Sequence, residues 1–139
     1  MTNLSEPQRL TSEPRPEQPG PTVLVVDDEA LLRAAIRRLL QDAGYAVVEA
    51  EHGAIALELL KDIGEQKIHL VLTDLRMPVM DGRQLAAALA RLYPTMPIVF
   101  MSGFTAQLMD LRLVSPHLDF LPKPFRTDDL LSAVRRHIH

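Results

Sequence analysis

At 139 residues the chain has room for one domain, and its 47% hydrophobic content is enough for a packed core, necessarily aliphatic because aromatics make up only 4%. The absence of cysteine excludes a disulfide framework and thiolate zinc sites, and no apolar stretch reaches the length that spans a bilayer. A formal net charge of −3 argues against direct nucleic-acid binding through phosphate contacts, and the polar start Met1-Thr2-Asn3-Leu4-Ser5 does not read as a signal peptide, so a cytoplasmic protein is expected.

Residues 1–21 are polar and carry Pro7, Pro14, Pro16, Pro19 and Pro21 with few large apolar residues. Such a segment buries too little surface to offset its ordering entropy, which predicts a disordered arm or linker ahead of a domain over 22–139. From Thr22 the pattern alternates between short apolar strands and amphipathic helices. Strands are expected over 22–26, 45–50, 68–73, 97–101 and 118–121, several apolar throughout, as strands covered on both faces are.

Between them, the segment 29–42 places Leu32, Ala35, Ile36, Leu39 and Leu40 at helical spacing and stops at Gly44. A second helix over 52–62 uses Ile55, Leu59 and Leu60 and stops at Gly64. A third over 83–92 uses Leu85, Ala88, Leu89 and Leu92 and stops before Pro94. The stripe over 105–113 is less decisive and is cut by Pro116. The last helix, 127–137, takes Thr127 as its N-cap, carries Asp128-Asp129 in its first turn and buries Leu130, Leu131 and Val134. Arg135-Arg136 reads as its solvated end, where cations suit the helix dipole. Five βα units with right-handed crossovers make a three-layer α/β sandwich on a parallel sheet.

The chemistry-bearing residues stand where strands end. Asp27-Asp28 closes Val23-Leu24-Val25-Val26, Asp74 follows Leu70-Val71-Leu72-Thr73, and Lys123 follows Asp119-Phe120-Leu121-Pro122. The carboxyl ends of parallel strands lie together, so these residues converge on one crevice. Carboxylates so close either share a proton or share a cation, and an all-oxygen ligand set calls for a hard ion, Mg²⁺. Taken singly, Asp27-Asp28 also suits a helix cap, Asp74 a turn and Ser102 a turn before Gly103.

The run Asp74-Leu75-Arg76-Met77-Pro78-Val79-Met80-Asp81-Gly82, together with Asp27-Asp28-Glu29, Ser102 and Lys123-Pro124-Phe125, resembles the receiver domain of bacterial two-component response regulators. The resemblance covers about residues 22–138. It implies a flavodoxin-like fold, a five-stranded parallel sheet in the order 2-1-3-4-5 flanked by five helices. It implies that Asp74 accepts a phosphoryl group from a histidine kinase, with Mg²⁺ held by Asp27, Asp28, Asp74 and the main-chain carbonyl of Arg76. Ser102 would bind a phosphoryl oxygen, and Lys123 would pair with Asp74 and then with its phosphate, across a cis Lys123–Pro124 bond. Arg76 and Phe104 match positions that tune phosphoryl lifetime. Phe120 matches the switch aromatic of the fifth strand, although it also suits a plain core position. Met77, Pro78, Met80 and Gly82 read as loop-shaping and packing residues.

The signal would leave through the face of the fourth helix, fifth strand and fifth helix, toward a downstream protein or a second copy in a homodimer. Such a protein modifies itself and is not an enzyme with an external substrate. Two contexts fit: Met1 favours an independent regulator, while the arm and the Ser102-Gly103-Phe104 wording resemble the receiver of a hybrid kinase. A Mg²⁺-dependent phosphohydrolase with an aspartyl-phosphate intermediate is a rival, disfavoured by Arg76 where such enzymes place a second acid. A receiver-shaped module that is never phosphorylated is another.

Overall fold

The computed structural model describes residues 20–103 and 118–138. The arm expected over 1–21 lies almost wholly outside them, as do Phe104 and the helix expected over 105–113. The chain runs β1 (Thr22–Val26), α1 (Ala30–Asp42), β2 (Ala46–Ala50), α2 (Gly53–Ile63), a short 3₁₀ turn (Glu65–Lys67), β3 (Leu70–Asp74), α3 (Gly82–Leu92), β4 (Ile98–Ser102), β5 (Leu118–Pro122) and α4 (Thr127–His137). All five strands pair in parallel in the order β2-β1-β3-β4-β5. The described residues form four helices, and every strand and helix expected from periodicity within them is present.

Successive strand residues point to opposite sides of a sheet, which is why the central strands are apolar without alternation. Leu24, Val26, Val71, Ile98 and Phe100 face α2 and α3, packing on Ala56, Leu60, Leu85 and Leu89. Val23, Val25, Leu70, Leu72, Val99 and Met101 face the other way, onto Ile36 and Leu40 of α1 and Leu130, Ala133 and Val134 of α4. The result is three layers, helix on sheet on helix.

Helix ends differ from expectation in ways local geometry explains. Glu29, not Asp27 or Asp28, is the N-cap of α1 and has no side-chain cap bond. Asp27 instead turns back to accept the N–H of Glu29 through Oδ1 at 2.8 Å. Arg126 rather than Thr127 is the N-cap of α4, and its N–H donates to Asp129 Oδ2 at 3.1 Å. Asp81 starts α3 with a capping box: it accepts from Gln84 N–H at 2.9 Å, and Gln84 Oε1 accepts from its N–H at 3.0 Å. After α1, Gly44 takes φ 101°, the left-handed turn that releases the chain toward β2.

From β1 the chain moves one way to β2, then crosses back past β1 to β3. Helices α1 and α2 thus leave the sheet on opposite sides, and a crevice opens at the carboxyl ends of β1 and β3.

Candidate functional site

The crevice is lined by Asp28, Glu29, Asp74, Arg76, Ser102, Gly103 and Lys123 around a cavity of about 330 Å³. Asp74 is the last residue of β3, one position further into the strand than expected. Its Oδ1 accepts the N–H of Leu75 at 2.9 Å and lies 3.4 Å from Lys123 Nζ. The main chain of Lys123 is tied down as well, its N–H donating to the carbonyl of Ser102 at 2.9 Å. That bond brings the ends of β4 and β5 together and aims the ammonium inward. The Lys123–Pro124 bond is cis.

Asp27, Asp28 and Asp74 each offer a carboxylate oxygen, and these atoms lie within 4.8 Å of one another. The adjacent aspartates have different surroundings. Asp27 is fully buried, whereas Asp28 is exposed at the mouth of the crevice. Asp27 Oδ2 is buried with no hydrogen-bond partner among the described residues, and Lys123 Nζ lies 3.9 Å from it. Burial, the largest influence, together with the charges of Asp74 and Asp28, pushes the Asp27 carboxyl up to about 6, against the N–H of Glu29 and the Lys123 ammonium. Burial also raises Asp74, opposed by Lys123 and by the N–H of Leu75.

A buried carboxylate oxygen without a partner is costly. Here it faces two further carboxylates and a single lysine. The donor set is all oxygen and carries excess negative charge, which fits a small hard divalent cation.

The β3–α3 loop is held close beneath the site. The N–H of Gly82 donates to Leu75 O at 2.8 Å, and a Cβ at Gly82 would collide with the carbonyl oxygen of Asp74. Met80 closes the loop's far side against Gly53, whose N–H donates to Met80 O at 3.0 Å. Both methionines of the loop pack on the α2–α3 side of the core, as expected.

The site residues expected from sequence are thus brought together at Asp27, Asp28, Asp74, Arg76, Ser102 and Lys123. Phe120 is not among them. It lies partly buried against the core and lines a separate recess with Leu121, Pro122, Pro124, Asp129, Ser132 and Arg136. Glu29 and Gly103, quoted in the motifs but given no site role, also join the lining. Arg33 of α1, which was not singled out from the sequence, donates to the carbonyl of Asp27 at 2.6 Å.

The model of the family described as the response regulator receiver domain matches residues 23–135. The chain belongs to that family. This receiver is 33% identical over 115 residues to the response regulator receiver protein CpdR of Brucella abortus, a match covering 82% of this chain and 93% of CpdR. It is 36% identical over 115 residues to the sensor kinase CckA of the same organism; there the match covers 82% of this chain but spans only 12% of the kinase. Among solved structures, the response regulator TrrA of Thermotoga maritima, in complex with Mg²⁺-BeF, superposes with a TM-score of 0.75 at 27% identity, covering 84% of this chain and 98% of that one. As a receiver, the domain is a phospho-accepting signalling module of two-component phosphorelays, with an acidic cluster of the kind that binds a divalent cation. Among the described residues, no helix is long and apolar enough to cross a membrane.

Proposed function

We propose that this receiver takes a phosphoryl group from the phosphohistidine of a histidine kinase onto Asp74. The observation that carries the assignment is the position of Asp74, at a strand end inside the acidic cluster with Lys123 Nζ 3.4 Å away. Oδ1 is engaged by Leu75 and Lys123, which leaves Oδ2 to attack phosphorus. The new O–P bond forms as the P–N bond breaks, and the leaving imidazole takes up a proton. Lys123 favours the ionised carboxylate against the burial that raises it, and afterwards pairs with the phosphoryl oxygens. Ser102, buried in the lining of the same crevice, donates its hydroxyl to one of those oxygens.

Mg²⁺ is the cation assigned to Asp27, Asp28, Asp74 and the carbonyl of Arg76, and it would neutralise phosphoryl oxygens as charge shifts during transfer. The orphaned Oδ2 of Asp27 supports that assignment, as does the Mg²⁺-BeF complex of TrrA.

The phosphoryl group adds roughly −1.5 to −2 charges. Drawing Ser102 toward it would loosen the packing beside β4 and let Phe120 move inward. The face that includes β5 and α4 would change with it, for a downstream protein or a second copy. Arg76 and Phe104 would set how quickly water reaches the acyl phosphate. Residues 1–21 would be an arm outside the domain of 22–139, and the setting cytoplasmic, either as a separate regulator or within a longer kinase. No external substrate is turned over.

The test is intact mass after incubation with Mg²⁺ and acetyl phosphate. The wild type should gain one phosphoryl group and Asp74→Asn none. A wild type that never gains the mass, or an Asn variant that gains it equally, overturns the assignment.

A further inference from the structure

We propose that Arg33 is a positioning residue for the acidic cluster, holding the Asp27–Asp28 peptide in the orientation that cation binding needs. The inference rests on the reading of that cluster as a Mg²⁺ site.

Asp27 is tied down at three points. Its N–H donates to Ala50 O at 3.1 Å, its Oδ1 accepts from Glu29 N–H at 2.8 Å, and its carbonyl accepts from Arg33 Nη1 at 2.6 Å. These ties leave Oδ2 as the oxygen turned to the cluster. The Asp27 carbonyl and the Asp28 amide share one planar unit, so a grip on the carbonyl also sets the plane from which the Asp28 side chain springs. The guanidinium therefore orients two of the three acids at once.

Arg33 is itself anchored. Its Nε donates to Glu49 Oε1 at 2.9 Å, and its side chain is only 15% exposed. A planar guanidinium can hold a carbonyl and a carboxylate together in fixed directions, which a lysine ammonium on a flexible stem does not. Glu49 in turn belongs to the framework that holds Asp27. It neighbours Ala50 on β2, and the β1–β2 register sets Val25 opposite Glu49 and Val26 opposite Ala50. Arg37 Nη1 holds the other oxygen of Glu49 at 2.7 Å. Burial pushes the Glu49 carboxyl up, but the hydrogen bonds from Arg37 and Arg33 outweigh it and keep the group ionised. The charges acting most on Asp27 are those of Asp74, Lys123 and Asp28, so the part played by Arg33 is geometric.

The experiment is calorimetric titration of Mg²⁺ into the full chain, with unfolding measured in parallel in EDTA and in saturating Mg²⁺. Partners that orient metal ligands commonly contribute about 10–100-fold in affinity, and Arg33→Ala is expected to weaken Mg²⁺ binding about tenfold. Arg33→Lys, which retains the charge but not the fork, stays weakened by at least about threefold. Glu49→Ala cuts the anchor while leaving Arg33 in place, weakens binding about threefold, and serves if Arg33→Ala does not fold. Arg37→Ala touches Glu49 alone and stays within about twofold of wild type. A purely structural arginine would lower stability equally with and without Mg²⁺ and leave the dissociation constant alone. That result, with Arg33→Ala or Glu49→Ala binding like wild type, overturns the inference while sparing the Mg²⁺ site. A wild type that binds no Mg²⁺ overturns both.

Discussion

Replacing Asp27 with asparagine should stabilise the metal-free protein at neutral pH while removing its response to Mg²⁺. Asp27 is fully buried, with one oxygen on the N–H of Glu29 and the other without a hydrogen-bond partner. Burial first, then repulsion from Asp74 and Asp28, raises its carboxyl from 3.8 to about 6. Between those two values the folded protein binds a proton that the unfolded chain has already lost. Stability therefore falls as pH rises from about 4 to about 6 and is flat above that window. At ~1.4 kcal/mol per pKa unit, the shift sets a ceiling near 3 kcal/mol on the penalty at pH 7.5.

Asparagine retains the acceptor for Glu29 and carries no charge, so Asp27→Asn should recover about 1–2 kcal/mol of that penalty. Urea unfolding followed by circular dichroism, in EDTA at pH 7.5 and again at pH 4, reads the difference. The advantage of the variant should shrink toward zero at the lower pH, where the aspartic acid is itself neutral. Saturating Mg²⁺ should reverse the order at pH 7.5, because only the wild type retains every carboxylate of the proposed Mg²⁺ site. An advantage in EDTA that does not change with pH, or a loss of stability at pH 7.5, would refute the reasoning.

Three other substitutions probe the frame around the site. At Asp119, burial raises the carboxyl, but His137, the N–H of Phe120 and Arg136 together hold it below its ordinary value. A depressed acid contributes stability above its unfolded pKa and loses it as pH falls through the folded one, so Asp119→Asn should cost roughly 0.5–1 kcal/mol at pH 7 and nothing in strong acid; an equal cost at both would exclude the ion pairs as its source. Val79 adopts φ 66° in the loop after Asp74, with the residue 77% exposed and Met80 N–H closing on Pro78 O at 2.7 Å. A β-branched residue in that region is strained, so Val79→Gly should raise stability by up to about 1 kcal/mol after allowing for the entropy of glycine, and a lowered Tm would count against the strain. Gly82→Ala should lose about 2 kcal/mol or more and slow phosphorylation, because its Cβ meets the Asp74 carbonyl and lies 2.9 Å from Leu75 Cα. Unaltered kinetics of phosphorylation by acetyl phosphate and an unaltered Tm would show that the loop yields freely.

Much of this architecture was legible because it depends on local periodicity. Apolar runs ending in Asp27, Asp74 and Ser102 mark buried parallel strands, and stripes such as Leu85, Ala88 and Leu89 mark helices facing them. The capping box of Asp81 and Gln84 carried a readable signal too, although the segment reads as loop when only Pro78 and Gly82 are weighed. Arg33 gave no such sign. A single arginine on a charged helix face looks like any solvated side chain, and its partners lie 6 and 16 positions away.

Chain order and residue type alone specified a parallel αβ sandwich and the set of acids, hydroxyl and lysine at its strand tips, since hydrophobic period and strand ends are properties of contiguous residues. Only the folded sheet decided that Asp27 is sealed in while Asp28 meets solvent, and that Arg33 reaches from α1 to join Asp27 with Glu49 of β2. Those outcomes depend on which strand lies beside which and in what register, and register is set by packing between segments distant in sequence.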